Sequence, residues 1–293
     1  DQDHLFKPKN SYRMDGRSRE SATAGTNHPA GVMTYFFMKD PEGKKVKLSY
    51  LNTENDTIQS FSSEAKKNKL EVSKGANQHV WDMRGEGAER LDGMILWWAS
   101  TDAPQAVPGN YKVVLEVEDE VMKQDFEILA DANAETDLAG MQKQYDFISG
   151  VNKTVDKAHQ SIKKMRKVDT QLKDFQKQYK SNEQVKPLLE KAKTLSEQLS
   201  EIENALYQTK NRSNQDPLNF PIKLTNKLAH LNSLVGMDDF PPTQQDIAVK
   251  DQLTAIINEE LNKFDQLLEE EVKAFNKEFN AMDLNYLFVE TED

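Results

Sequence analysis

The chain contains no cysteine, and it has only 12 glycines and 10 prolines among 293 residues. The absence of cysteine excludes disulfides, cysteine-ligated zinc and thiol catalysis. No apolar run approaches the ~20 residues that a bilayer-spanning helix needs, so the sequence predicts no membrane insertion. The first ten residues include neither an initiating methionine nor an apolar signal core. We therefore expect either that a leader has been removed or that this chain is part of a longer protein.

Positive charge is also scarce, because 38 Lys and Arg residues stand against 49 Asp and Glu residues, for a net charge of -11. Both halves of the chain are acidic. A protein that binds nucleic acid needs a basic face that neutralises phosphates, so the charge balance argues against a nucleic-acid partner. The length predicts about two domains of roughly 100 to 200 residues each.

Residues 31–131 carry short apolar runs separated by glycine and proline. In the run that begins at Tyr111, the side chains of Tyr111, Val113, Leu115 and Val117 fall on one face. Those of Lys112, Val114 and Glu116 fall on the other, which is the period of a half-buried strand. The following strand is expected to direct Phe126 and Ile128 inward. Several such strands with no helix between them predict a β-sandwich at 31–131, preceded by an extended approach segment at 1–30.

From residue 137 onward the apolar residues recur at steps of three or four. This period predicts helices at 137–180, 185–206, 224–235 and 243–280, with a cap at Asn182. Apolar stripes on single helices must pack against one another, so 137–285 is predicted to form an antiparallel α-helical bundle of three long helices and one short helix. The predicted fold class is therefore a multidomain protein, all-β followed by all-α.

Catalytic signatures are missing from the sequence. The five histidines, at positions 4, 28, 79, 159 and 230, include no pair at the i, i+4 spacing of a zinc helix, and there is no GxSxG or glycine-rich phosphate loop. His159 and His230 lie beside helical stripes and are interpreted as bundle-edge residues. We therefore assign no catalytic, cofactor-binding or metal-binding residue, and we expect a non-enzymatic chain without a cofactor.

Two adjacent tryptophans are the first candidate for a binding surface. Trp97 and Trp98 end the apolar run GMILWW, which predicts a strand, so their side chains should point to opposite faces. The outward tryptophan could stack on a sugar ring, or it could pack on a neighbouring domain.

A second candidate is the long first helix, which outreaches the second helix. Residues near the sandwich junction are predicted to pack between domains. Residues at the far tip are predicted to meet the start of the second helix, and any apolar surface left uncovered there favours a homodimer. The junction residues are Met141, Tyr145 and Ile148, and the tip residues are Leu172, Phe175 and Tyr179.

Three strings give the chain a family resemblance: GANQHVWDMR, VPGNYKVVLEV and NFPIKLTNKLAHL. They resemble the Ig-like domain related to the flagellar hook-cap protein family, together with the helical tail that follows it in exported bacterial β-propeller proteins described as sortilin-like or BNR-repeat glycosyl-hydrolase-like. The residues that match the family pattern are expected to be structural. They are Trp81, Asp82, Arg84, Pro108, Gly109 and Tyr111.

The resemblance implies a non-catalytic accessory region of an exported protein of the bacterial envelope, periplasmic or at the cell surface. Its partner would be an N-terminal β-propeller of the same protein or another envelope protein. In such proteins a hydrolase site would lie in the propeller. Because this sequence contains no propeller repeat, we assign no glycosyl-hydrolase role to any of its residues. A carbohydrate-binding module that uses an exposed tryptophan of the sandwich is the main alternative, and a hydrolase is the further one.

Overall fold

The structure, a computed structural model, describes residues 2–14, 23, 25 and 29–282. His28 and much of the predicted approach segment lie outside these residues. The described chain contains both β-sheets and α-helices, and it divides into two compact units. The first unit comprises Asp1–Ala88, Asp102–Gly150 and Leu234–Thr243. The second unit comprises Glu89–Thr101, Val151–Ser233 and Gln244–Asp293.

The described part of the first unit contains eight strands in two sheets. In chain order they are β1 (His4–Leu5), β2 (Ser11–Arg13), β3 (Val32–Met38), β4 (Val46–Leu51), β5 (Thr57–Ser62), β6 (Gly75–Trp81), β7 (Gly109–Val117) and β8 (Glu120–Ala130). One sheet has the order β1-β3-β6, and the other has the order β2-β8-β7-β4-β5. The short β2 pairs in parallel with β8, whereas the remaining neighbours are antiparallel.

The core of the first unit follows the alternation read from the sequence. Val113, Leu115 and Val117 of β7 are buried, and so are Phe126 and Ile128 of β8, as predicted. Trp81 and Tyr50 lie at the centre, with ring centroids 4.4 Å apart and planes inclined by 16°. The hydroxyl groups of Tyr50 and Thr34 are within 2.9 Å of each other. This hydrogen bond satisfies polar groups that would otherwise be costly to bury.

Among the residues that the structure describes, five α-helices follow the strands. They are α1 (Leu138–Gln178), α2 (Lys186–Leu206), α3 (Leu224–Val235), α4 (Gln244–Leu267) and α5 (Lys273–Ala281). The segment Leu268–Val272 joins α4 and α5 as a π-helical turn, so the fourth predicted helix is one run with a local irregularity. Residues 138–150 of α1 belong to the first unit and the rest of α1 to the second. No helix in the described ranges is long and apolar enough to cross a membrane.

Helix boundaries and burial in the second unit follow local sequence signals. Oδ1 of Asn182 accepts a hydrogen bond of 3.0 Å from the backbone N–H of Gln184, so the predicted cap Asn182 caps the 3-10 turn Glu183–Val185 that leads into α2. Pro187 occupies the first turn of α2, where its missing N–H costs nothing. The whole predicted stripe of this region is buried: Val185, Leu188, Ala192, Leu195, Leu199, Ile202 and Leu206.

Candidate functional site

The tryptophan pair lies in a loop, which we call the Trp98 loop (Glu89–Thr101), and this loop belongs to the second unit. The predicted strand at GMILWW is therefore wrong, and so is the placement of Trp97 and Trp98 on opposite faces of a sandwich strand. A short apolar run does not by itself distinguish a strand from another buried segment. Here the backbone of the run is hydrogen-bonded by side chains of the second unit instead of by a neighbouring strand.

Asn226 of α3 holds the backbone of Trp97 at both polar groups. Its Oδ1 accepts from the N–H of Trp97 at 2.6 Å, and its Nδ2 donates to the carbonyl of Trp97 at 2.9 Å. The side-chain amide thus replaces the neighbouring strand that the run lacks. Two further residues of α3 act in the same way, since Nδ1 of His230 donates to the Trp98 carbonyl and Nδ2 of Asn232 donates to the Ser100 carbonyl.

The earlier part of the Trp98 loop is held by α1 and by Tyr207. Asp156 accepts from the N–H of Glu89 at 2.8 Å, and Nδ1 of His159 donates to the carbonyl of Glu89 at 2.5 Å. The hydroxyl of Tyr207 accepts from the N–H of Ile95 at 3.0 Å. A loop bonded at this many backbone groups is ordered before any ligand arrives.

Trp98 is the exposed member of the pair, with 71% of its surface accessible. Trp97 is half-buried, and the two indole rings are stacked at 6.3 Å with planes inclined by 23°. The backbone of Trp98 has φ of 49°, in the left-handed region that costs a non-glycine residue roughly 1–2 kcal/mol. The hydrogen bonds around it hold Trp98 in this conformation and present its ring to solvent.

Replacing Asn226 with alanine is expected to destabilise the protein by about 1–3 kcal/mol, because the partly buried N–H and carbonyl of Trp97 lose their partner. Hydrogen exchange of residues 95–101 should accelerate. Lys227→Ala on the exposed side of the same helix is the matched control and should change stability by less than about 0.5 kcal/mol in urea titration. Equal effects of the two substitutions would show that Asn226 does not hold the loop.

The family-pattern residues of the first unit form a structural cluster. Nε1 of Trp81 donates to the carbonyl of Arg84 at 2.7 Å, and the Arg84 N–H donates to Oδ1 of Asp82 at 3.0 Å. The Arg84 guanidinium also donates to the carbonyl of Ala103 at 2.6 Å. These bonds fix the chain that follows β6.

Pro108 and Gly109 lead into β7, and the hydroxyl of Tyr111 donates to the carbonyl of Val107 at 2.5 Å. Burial raises the pKa of Tyr111 to about 12. This tyrosine is therefore uncharged over the whole physiological range and serves as a hydrogen-bond donor to the backbone.

The predicted assembly residues are mostly buried. Met141 and Ile148, which belong to the first unit, are buried, and Tyr145 of the same unit is half-buried. At the tip of α1, Leu172 and Tyr179 are buried, and Phe175 is half-buried. The aromatic contacts of this tip come from the last helix, because the ring of Phe175 lies 5.2 Å from Phe275 and 5.7 Å from Phe279. The homodimer stays a prediction.

Two histidines, the buried His159 and the half-buried His79, make stability depend on pH. Burial lowers the pKa of His159, although its hydrogen bond to Glu89 opposes the shift, and burial likewise lowers the pKa of His79. In the unfolded chain both protonate near pH 6.5, so below that value the unfolded state binds more protons and stability falls.

We expect His159→Gln to weaken this pH dependence between pH 7.5 and 5.5, with His79 supplying what remains. Thermal unfolding of both proteins across this window is the measurement. If the variant lost as much stability as the unchanged chain over the same window, His159 would not be the group responsible.

Within the described ranges, no group of three or more His, Asp or Glu residues is placed to hold a metal ion. Comparison of the sequence with protein-family models and with curated proteins finds no match. The resemblance to the hook-cap-type domain therefore stays a prediction.

The residues that hold the Trp98 loop were not identified from the sequence. Asn226 and His230 are spaced four residues apart on α3, so they share a helix face. Polar residues that share a face beside an apolar stripe are the signal that could have revealed a segment bound there.

Proposed function

We propose that the chain is a non-catalytic accessory region that docks to a protein partner through a surface centred on Trp98. The observation that carries the proposal is the 71% exposure of Trp98 on a loop fixed by backbone hydrogen bonds. Tryptophan is enriched among the residues that dominate binding energy at protein interfaces. A pre-ordered loop lowers the entropy cost of association, so the ring binds without first having to be organised.

The proposed partner is an N-terminal β-propeller of the same protein or another protein of the bacterial envelope. This part of the proposal is supported by the motifs around Trp81 and Pro108 that resemble the accessory region of exported propeller proteins. A periplasmic or cell-surface location follows from the same resemblance and is proposed with it.

We propose further that the first unit is a version of the Ig-like sandwich and that the helices form an antiparallel bundle. Two features support the sandwich. Trp81 is buried against the central Tyr50 ring, and the hydroxyl of Tyr111 bonds a carbonyl four residues upstream, as in the tyrosine corner of Ig-like domains. The buried stripes of α1, α2 and α4 support the bundle.

Intact-mass measurement of the protein purified from its natural source tests the propeller part of the proposal. We expect a polypeptide much heavier than the 33.5 kDa of this chain, with additional sequence before residue 1. A mature species of about that mass would contradict the propeller connection, while leaving docking to a separate envelope protein to be tested at Trp98 itself.

Carbohydrate binding is the second candidate, because the stacked pair of Trp97 and Trp98 presents an aromatic face to solvent. Its platform would lie in the second unit rather than in the predicted sandwich. A glycan array probed with the unchanged chain and with Trp98→Ala distinguishes the two functions. A polysaccharide signal that is lost in the variant would favour this alternative, whereas the docking proposal predicts no glycan signal from either protein.

A further inference from the structure

The first unit contains a cavity of about 220 Å³ that is independent of the Trp98 loop. This is several times the ~30 Å³ that one water molecule occupies in the liquid, so the space admits a ligand of several non-hydrogen atoms. Charged and polar side chains from distant parts of the sequence line it: Arg13, Arg84, Asp131, Gln144, Asp238 and Asp239.

Arg13 of β2 is the buried charge of this cavity, since only 3% of its surface is exposed. Its Nη2 donates to Oε1 of Gln144 at 2.6 Å and lies 2.9 Å from Oδ1 of Asp239. Its Nε and Nη1 have no hydrogen-bond acceptor. Burying charged donors without an acceptor is costly, so the guanidinium lacks a partner that a bound anion would supply.

Gln144, one of the two partners of Arg13, is itself held in place. Nε2 of Gln144 donates to the carbonyl of Val235 at 2.8 Å and also to the carbonyl of Asp238. These bonds tie the segment after α3 to α1 within the first unit. The guanidinium therefore lies in a built site and not among mobile surface side chains.

Acidic groups also line the same cavity. Asp131 accepts from Asn133 through Oδ1, and Asp238 accepts from the N–H of Asp239 through Oδ1, so within the described ranges Oδ2 of each carboxylate has no hydrogen-bond donor. Together with Asp239 they make three carboxylates beside the two guanidinium groups of Arg13 and Arg84. Phosphate dianions would be repelled by the carboxylates, whereas a ligand with one negative and one positive group satisfies both kinds of side chain.

We propose that this cavity binds a free α-amino acid. The ligand carboxylate pairs with Arg13, and the ligand ammonium pairs with Asp131 and Asp238. Guanidinium groups match carboxylates with parallel hydrogen bonds, which accounts for a buried arginine in the lining of the cavity. No chemical step is part of the proposal: the site recognises a small zwitterion.

Calorimetric titration of the full chain with each of the common L-α-amino acids at pH 7 tests this assignment. At least one should bind, and its N-acetyl and methyl-ester derivatives should each bind at least about tenfold more weakly, since each lacks one charge. If no amino acid binds, the proposal is overturned. Equal binding of the N-acetyl form, or of inorganic phosphate, would overturn it in favour of a simple anion site.

Variants test the residues as well as the ligand. Arg13 is buried, so substituting it risks the fold, and Asp238→Asn is the informative change because Asp238 is exposed and its amide keeps the bond to Asp239. We expect at least about fivefold weaker binding of the amino acid. Asp119→Asn, which removes one charge from the β7–β8 turn of the same unit, should bind as the unchanged chain does. If Asp238→Asn also bound unchanged, the assignment of the ammonium would be wrong.

Discussion

Replacing Trp81 with alanine is expected to destabilise the first unit by about 3–5 kcal/mol, the range for truncating a fully buried aromatic side chain. Trp81 is completely buried and stacks on Tyr50 at 4.4 Å. The substitution also removes the Nε1 hydrogen bond to the carbonyl of Arg84. Urea denaturation followed by far-ultraviolet circular dichroism measures the loss, and hydrogen exchange should locate it in β3, β4 and β6.

Trp98→Ala is the matched control, because it deletes the same side chain where 71% of its surface is exposed. We expect a change of less than about 0.5 kcal/mol. A loss of several kcal/mol from Trp98→Ala would mean that its ring is part of a core, and the interpretation of Trp98 as a binding residue would fail.

Replacing Phe264 with alanine should have a similarly large effect on the second unit, again about 3–5 kcal/mol. Only 1% of Phe264 is exposed, and it lies on α4 among the buried residues Leu261 and Leu267. Truncation leaves a cavity that the surrounding helices can fill only in part. Urea denaturation gives the size of the loss, and hydrogen exchange should show faster exchange in α4 than in the unchanged chain.

Leu218→Ala is the control for this unit. Because 71% of Leu218 is exposed, its truncation removes little buried apolar surface. It should change stability by less than about 0.5 kcal/mol. If Phe264→Ala were as mild as Leu218→Ala, the buried stripe of α4 would not be a stabilising core.

The regular elements could be predicted from the sequence because each has its own period. The alternation in β7 placed Val113, Leu115 and Val117 on one buried face, and the stripe ending at Leu206 placed α2. Such patterns depend on neighbours a few residues away, so they are visible without knowing the tertiary fold. The π-helical turn at Leu268–Val272 has no comparable signal, since the apolar spacing continues across it.

The sites depend instead on residues that are far apart in the chain. The Trp98 loop was predicted to be a strand because the side chains that bind its backbone, Asn226 and His230 among them, come from α3, more than a hundred residues later. The sequence around Arg13 did not reveal a site for the same reason. Its partners Gln144 and Asp239 are more than a hundred residues away in the chain and contact it only in the folded structure, where β2 pairs with β8. A local sequence pattern identifies a single helix or strand. Predicting a site requires knowing which helices, strands and loops pack together.

Site-specific photo-cross-linking from position 98 tests the proposed docking surface most directly. A benzophenone amino acid replaces Trp98 in the protein expressed in its natural host, and an exposed position on α2, Lys193, carries the same group as the control. After irradiation, mass spectrometry of the digested protein identifies the cross-linked peptides. The account predicts that position 98 links to a peptide from outside residues 1–293 and that position 193 does not. Cross-links from position 98 that match those from position 193, or that reach only residues within 1–293, would contradict it.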